Sequence, residues 1–237
     1  MSTFILIHGA TMGGWCWYKV VPLLERHGHT VIAPDLPSHG RDKTPLAAVS
    51  LQAYVDCVCR ILDAQREPVI LVGHSMGGAV IMQVAEERPE KIKVLVYVAA
   101  PVLQNGESLL DVLPQDTESL ASSSLIFAPD HSYATGREES IKEAFCGDAV
   151  EEDLVLVKAL QVPQATAPLS APVHTSAANF GRVPRVYIEC LRDRAVTPAF
   201  QKKLYTAFPC EKVLSLDTSH TPFFSAPGEL ATHLMTV

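Results

Sequence analysis

The chain has 237 residues, 48% hydrophobic and 19% charged, with 17 Pro and 13 Gly scattered along it; this excludes a disordered or fibrous polymer and suits one α/β domain carrying an insertion. A formal net charge of −7 repels phosphates, so neither nucleic acid nor an anionic membrane is the expected partner, and a small molecule is favoured. The longest apolar runs, such as 94–101, fall well short of the roughly 20 residues that span a bilayer, and the N-terminus opens on a strand pattern rather than a basic and apolar leader, which predicts a cytoplasmic protein.

In chain order, 4–8 is an apolar run ending at Gly9 and reads as a strand with its turn. Helical spacing follows over 15–26, a strand over 30–34, a helix over 51–65, a strand over 68–73, a helix over 77–88 and a strand over 94–99. Beyond a long interval come a strand over 185–190, a helix over 198–208, a strand over 212–216 and a final helix over 227–235. Short β-branched runs alternating with helices are the pattern of βαβ units, and the near-continuous apolarity of the strands suits a parallel sheet covered on both faces. The expected fold class is therefore α/β, with six parallel strands and a core formed by 1–100 and 184–237. The interval 101–183 is far longer than a crossover needs and holds polar turns beside helical stretches at 108–113, 138–145 and 151–160. It reads as a small helical cap inserted after the fourth strand, with the Pro-rich 162–172 returning the chain to the core.

The strongest chemical signal is Gly73-His74-Ser75-Met76-Gly77-Gly78, which directly follows an apolar strand and directly precedes a helix. A Ser on so sharp a turn has strained backbone angles and needs small residues two positions to either side, which Gly73 and Gly77 provide; this is a nucleophile elbow. Such a turn lifts the Ser75 hydroxyl above the sheet at a helix N-terminus, where the Met76 amide can donate to an oxyanion. A hydroxyl needs a base, and in this architecture the order is Ser, acid, His. Of nine His, His220 lies in the loop after the last strand and before the final helix, where that base belongs. His8 and His74 flank the site at strand ends and read as packing or hydrogen-bonding groups. Asp193, beyond the fifth main strand, is the expected acid, with Asp217 as its rival; three positions from His220 in one loop, Asp217 is badly placed to meet the imidazole from behind. A second oxyanion donor is expected from the loop after the first strand, and the Ala10 amide is the candidate. First and third strands lying side by side would make this the switch point at which open α/β sheets bind ligands.

Six Cys (Cys16, Cys57, Cys59, Cys146, Cys190 and Cys210) are dispersed without a CxxC pair and read as reduced core thiols. One Asp and one His in Asp35-Leu36-Pro37-Ser38-His39 do not make a metal site, and no GxGxxG or Walker lysine accompanies Gly13-Gly14, so no metal or cofactor is expected.

The segments 4–10, Gly13-Gly14-Trp15-Cys16-Trp17-Tyr18-Lys19, Pro22-Leu23-Leu24 and Gly28-His29-Thr30-Val31 resemble the opening of the plant methylesterase and hydroxynitrile lyase family of α/β-hydrolases and its bacterial esterase relatives. Arg185-Val186-Tyr187-Ile188-Glu189, Phe200-Gln201 and Ser219-His220 resemble that family's stretch from acid to histidine, with Asp193 on the acid position, while the cap matches only loosely. The resemblance implies an α/β-hydrolase fold, a mobile helical cap, no cofactor and small to medium apolar or aromatic esters as substrates, some bacterial relatives taking bulkier synthetic ones. Lyases of the family carry Thr where this chain has Gly9 and Lys where it has Thr221, so the resemblance implies a serine carboxylesterase rather than a lyase; a hydrolase-fold receptor is the third reading. A homodimer stays open.

Overall fold

A computed structural model describes residues 1–237. Its strands are β1 (Thr3–Ile7), β2 (Thr30–Ile32), β3 (Val69–His74), β4 (Ile92–Val98), β5 (Leu125–Phe127), β6 (Tyr133–Gly136), β7 (Gln164–Ala165), β8 (Arg185–Cys190) and β9 (Lys212–Leu216). Its helices are α1 (Val21–Arg26), α2 (Leu51–Asp63), α3 (Gly77–Glu87), α4 (Leu109–Val112), α5 (Ile141–Ala144), α6 (Glu151–Leu160), α7 (Ala167–Ser170), α8 (Pro198–Ala207), α9 (Pro222–Ser225) and α10 (Pro227–Met235). Six parallel strands form the main sheet in the order β2-β1-β3-β4-β8-β9.

Alternation of side chains along each strand sorts the core into two layers. Ile5, Ile7, Leu71, Leu95 and Tyr97 face α2, α3 and α8, meeting Val55, Val58, Val80, Val84 and Leu204. Phe4, Leu6, Val72 and Val96 face the other way, against Leu24 of α1 and Leu230 and Leu234 of α10. Each such side chain removed from water contributes about 1.5–3 kcal/mol, so both faces are strongly held.

Because every main strand runs the same way, all their C-terminal ends lie along one edge. Ile7 pairs with Gly73, which sets the loop after β1 beside the turn after β3. Cys190 pairs with Leu216, which brings the loops after β8 and β9 out together. This register is what gathers residues distant in sequence. No helix is long and apolar enough to cross a membrane.

Two local expectations differ from what is observed. The helix expected over 15–26 is divided into a 3-10 turn, Gly14–Trp17, and α1, because Pro22 has no N–H to donate and is tolerated only in a first turn. The segment between β4 and β8 is not all helical: β5, β6 and β7 pair antiparallel within it, and Ala128-Pro129-Asp130 lies in the hairpin connection. Strands of two to four residues are too short for alternation to stand out in a sequence.

Candidate active site

Ser75 sits between β3 and α3 with φ of 51°, a left-handed conformation that costs a non-glycine residue about 1–3 kcal/mol. Its neighbours permit this. A Cβ on Gly73 would lie 2.6 Å from the Gly77 carbonyl oxygen, and one on Gly77 would lie 2.9 Å from that of Ile7. The turn is closed by the Gly78 amide donating to the Ser75 carbonyl at 2.9 Å and by the Ser75 amide donating to Val98 at 3.3 Å. The amides of Ala10 and Met76 have no acceptor within the protein, and both residues line the cavity that Ser75 lines. Unspent N–H groups are rare away from water, and the α3 macrodipole adds partial positive charge beside Met76.

In the same cavity, His220 Nδ1 lies 2.7 Å from Asp193 Oδ2, with both side chains buried. The Asp193 carboxylate is held from several directions: Oδ1 accepts the amides of Ala195 at 2.7 Å and Val196 at 2.9 Å, and Oδ2 also accepts Gln201 Nε2 at 3.2 Å. Gln201 in turn donates to the Val196 carbonyl at 2.7 Å and accepts the Cys190 amide at 3.1 Å, which stitches the loop after β8 to α8. In the sequence Gln201 stands out only as part of the resemblance at Phe200-Gln201, and its contact with Asp193 has no local signal. Asp217 goes elsewhere: its side chain is 78% exposed and pairs with Arg192 at 3.0 Å. Of the two rival acids, only Asp193 meets the imidazole. Ser75 and His220 line the same cavity without a hydrogen bond between their side chains, a contact that in such sites commonly closes only around substrate.

The remaining histidines near the site are fully engaged or buried. His74 Nε2–H donates to the His220 carbonyl at 2.8 Å, and the two rings sit 4.6 Å apart. His8 Nε2 accepts the Leu36 amide at 3.2 Å while its Nδ1 lies 2.8 Å from the Gly9 carbonyl. Burial first, and then the neighbouring His39, pushes the His8 pKa down to about 3; burial likewise lowers His39 and, with His220 beside it, His74. These rings stay neutral in the fold but gain a proton in the unfolded chain below 6.5, so stability rises with pH through that window and is lost as pH falls below it. Each can contribute up to about 1.4 kcal/mol per pH unit. The melting temperature is therefore expected to fall steadily from about pH 7 to about pH 5, where most carboxylates are still ionised; a flat profile would contradict this.

The cavity is mostly apolar, with Leu109, Leu113, Leu125, Ile141, Phe145 and Val157 of the inserted segment forming its roof. No cluster of three or more His, Cys, Asp or Glu side chains could hold a metal ion. All six Cys are free thiols; Cys146, in the cavity wall, has its pKa pushed up to about 11 by burial and is no ready nucleophile.

The model of the alpha/beta hydrolase family matches residues 4–233. An Arabidopsis thaliana chain provisionally named methylesterase 11, chloroplastic, is 35% identical over 96% of this chain, which spans only 61% of that relative's length. The pyrethroid hydrolase of Sphingobium wenxiniae is 34% identical, with 98% of this chain and 85% of the relative covered. The crystal structure of a pyrethroid hydrolase from Sphingobium faniae JZ-2 superposes with a TM-score of 0.87 at 31% identity, covering 99% of this chain and 96% of that one.

Proposed function

Because the chain belongs to the alpha/beta hydrolase family, in the branch of the plant methylesterases and their bacterial relatives, we propose that it is a serine carboxylesterase working through an acyl-enzyme. The observation that carries this reading is one cavity lined by a strained Ser75, two unspent amides and an imidazole braced by a buried carboxylate.

In this reading Ser75 Oγ attacks the ester carbonyl carbon as His220 Nε2 takes its proton. Nε2 is the basic nitrogen because Nδ1–H is donated to Asp193, which fixes the tautomer and stabilises the imidazolium. The negative oxygen of the tetrahedral intermediate accepts from the Ala10 and Met76 amides. Collapse expels the alcohol, which leaves with the proton from His220, and a water activated by the same nitrogen then releases the acid and restores Ser75. No cofactor enters these steps.

The apolar roof favours small to medium apolar or aromatic esters, and the names of the relatives, a methylesterase and a pyrethroid hydrolase, support ester cleavage. A lyase acting on cyanohydrins is disfavoured. Departing cyanide calls for a nearby cation, yet no Lys or Arg lines the cavity, and Thr221, beside His220, is neutral, buried and donates to the Phe145 carbonyl at 3.1 Å. Gly9 offers no hydroxyl, and a Cβ there would lie 2.9 Å from His74 Nδ1 and 3.0 Å from Ser75 Cβ. A receptor without turnover leaves the braced imidazole without a purpose.

The test is a panel of p-nitrophenyl and methyl esters varied in acyl length and aromaticity, with mandelonitrile alongside. Ester hydrolysis is expected with cyanide release no greater than in buffer. Strong cyanide release with ester turnover near background would establish the lyase, and no turnover of any ester would favour the receptor.

A further inference from the structure

Gln164, at the start of β7, is buried although no step of the proposed reaction uses it. Its side-chain oxygen accepts the Thr11 amide at 3.4 Å and lies 3.0 Å from His39 Nε2, while its nitrogen donates to the Tyr54 hydroxyl at 3.1 Å and the Ala165 carbonyl at 2.9 Å. Two residues earlier, the Val162 amide donates to the Thr11 carbonyl at 2.8 Å. Thr11 is thus gripped at both its N–H and its C=O by the stretch that returns from the inserted segment.

The grip has a reason. Thr11 has φ of 61°, a region that a β-branched residue avoids at a cost of about 1–3 kcal/mol, so its conformation persists only if the surroundings impose it. The Thr11 N–H belongs to the peptide plane that leaves Ala10. Holding that plane at one side, with β1 fixed at the other, leaves the Ala10 N–H little freedom to swing. Tyr54 on α2 and His39, whose Nδ1 lies 3.1 Å from the Pro37 carbonyl, fix the Gln164 amide from behind.

We propose that Gln164 is a positioning residue for the Ala10 oxyanion donor, a role that rests on the hydrolase reading above. Gln164→Met, similar in length but without donor or acceptor, is expected to lower kcat about 10- to 100-fold with little change in KM, because a misplaced donor is felt where charge develops. Affinity for a substrate-shaped trifluoromethyl ketone, which adds to a serine as a tetrahedral adduct, should fall by the same factor as kcat/KM. Gln164→Glu keeps an acceptor for Thr11 and should recover most of kcat. Tyr54→Phe removes one contact behind the Gln164 amide but leaves its link to Thr11; it should lower the melting temperature and lower kcat far less than Gln164→Met does.

If Gln164→Met does not fold, Gln164→Asn, one methylene too short to reach Thr11, carries the same expectation. The proposal is overturned by parental kcat in the folded Met or Asn variant, by an equal loss in Tyr54→Phe, or by a kcat loss that leaves ketone affinity unchanged. Failure of the hydrolase reading is separately visible, since it would appear as no ester turnover in the parent or as turnover surviving in Ser75→Ala, whatever the Gln164 variants do.

Discussion

Replacing Ser75 by Ala is expected to reduce ester turnover by about a millionfold and leave the fold intact. The loss is large because both halves of the proposed reaction pass through an acyl group on Ser75; without the hydroxyl no acyl-enzyme forms, and the two free amides have no Ser75 adduct to stabilise. The fold should survive, since the elbow is held by the Gly78 and Ser75 backbone hydrogen bonds rather than by the hydroxyl. Trimming a side chain to Ala leaves the positive φ as it was, so stability should change little. Turnover of a p-nitrophenyl ester, measured on protein whose melting temperature matches the parent's, checks both halves. Unchanged turnover in folded Ser75→Ala protein would end the serine-hydrolase reading.

The second large effect concerns the acid. Asp193→Asn is expected to lower kcat by about 10⁴-fold. The direction follows from the contacts. The Ala195 and Val196 amides both need an acceptor at Oδ1, so an Asn at this position keeps its oxygen there and turns its NH₂ toward His220. The imidazole then faces a donor, takes the other tautomer and presents a protonated Nε2 to Ser75. Gln201 Nε2, which donates to Oδ2 in the parent, would also meet that NH₂. Asp217→Asn should cost far less, because its exposed carboxylate pairs with Arg192, and exposed pairs contribute about 1 kcal/mol or less. Both variants are to be compared on one ester at one pH. A greater loss in Asp217→Asn would transfer the acid's role to that residue.

The main sheet and the elbow were legible in the sequence because each is imposed by neighbouring residues. A buried parallel strand announces itself as an apolar run, as in Val69-Ile70-Leu71-Val72, and the strand-to-helix turn at Ser75 requires the small Gly73 and Gly77 beside it. The positions of Ser75, Asp193 and His220 could be placed after main strands for the same reason, since each follows a recognisable strand. Tertiary structure decided what depends on partners far along the chain. Two carboxylates follow main strands near His220, and only the paths of the loops after β8 and β9 turn Asp193 inward to the ring and Asp217 outward to Arg192. The short strands β5, β6 and β7 carry too few residues for a period, and β7 pairs with β6 only because 164–165 returns beside 133–134. Gln164 and Gln201 are both buried, because a side-chain amide can be withdrawn from water when backbone groups satisfy its hydrogen bonds, and no local pattern in the sequence encodes where those groups will be.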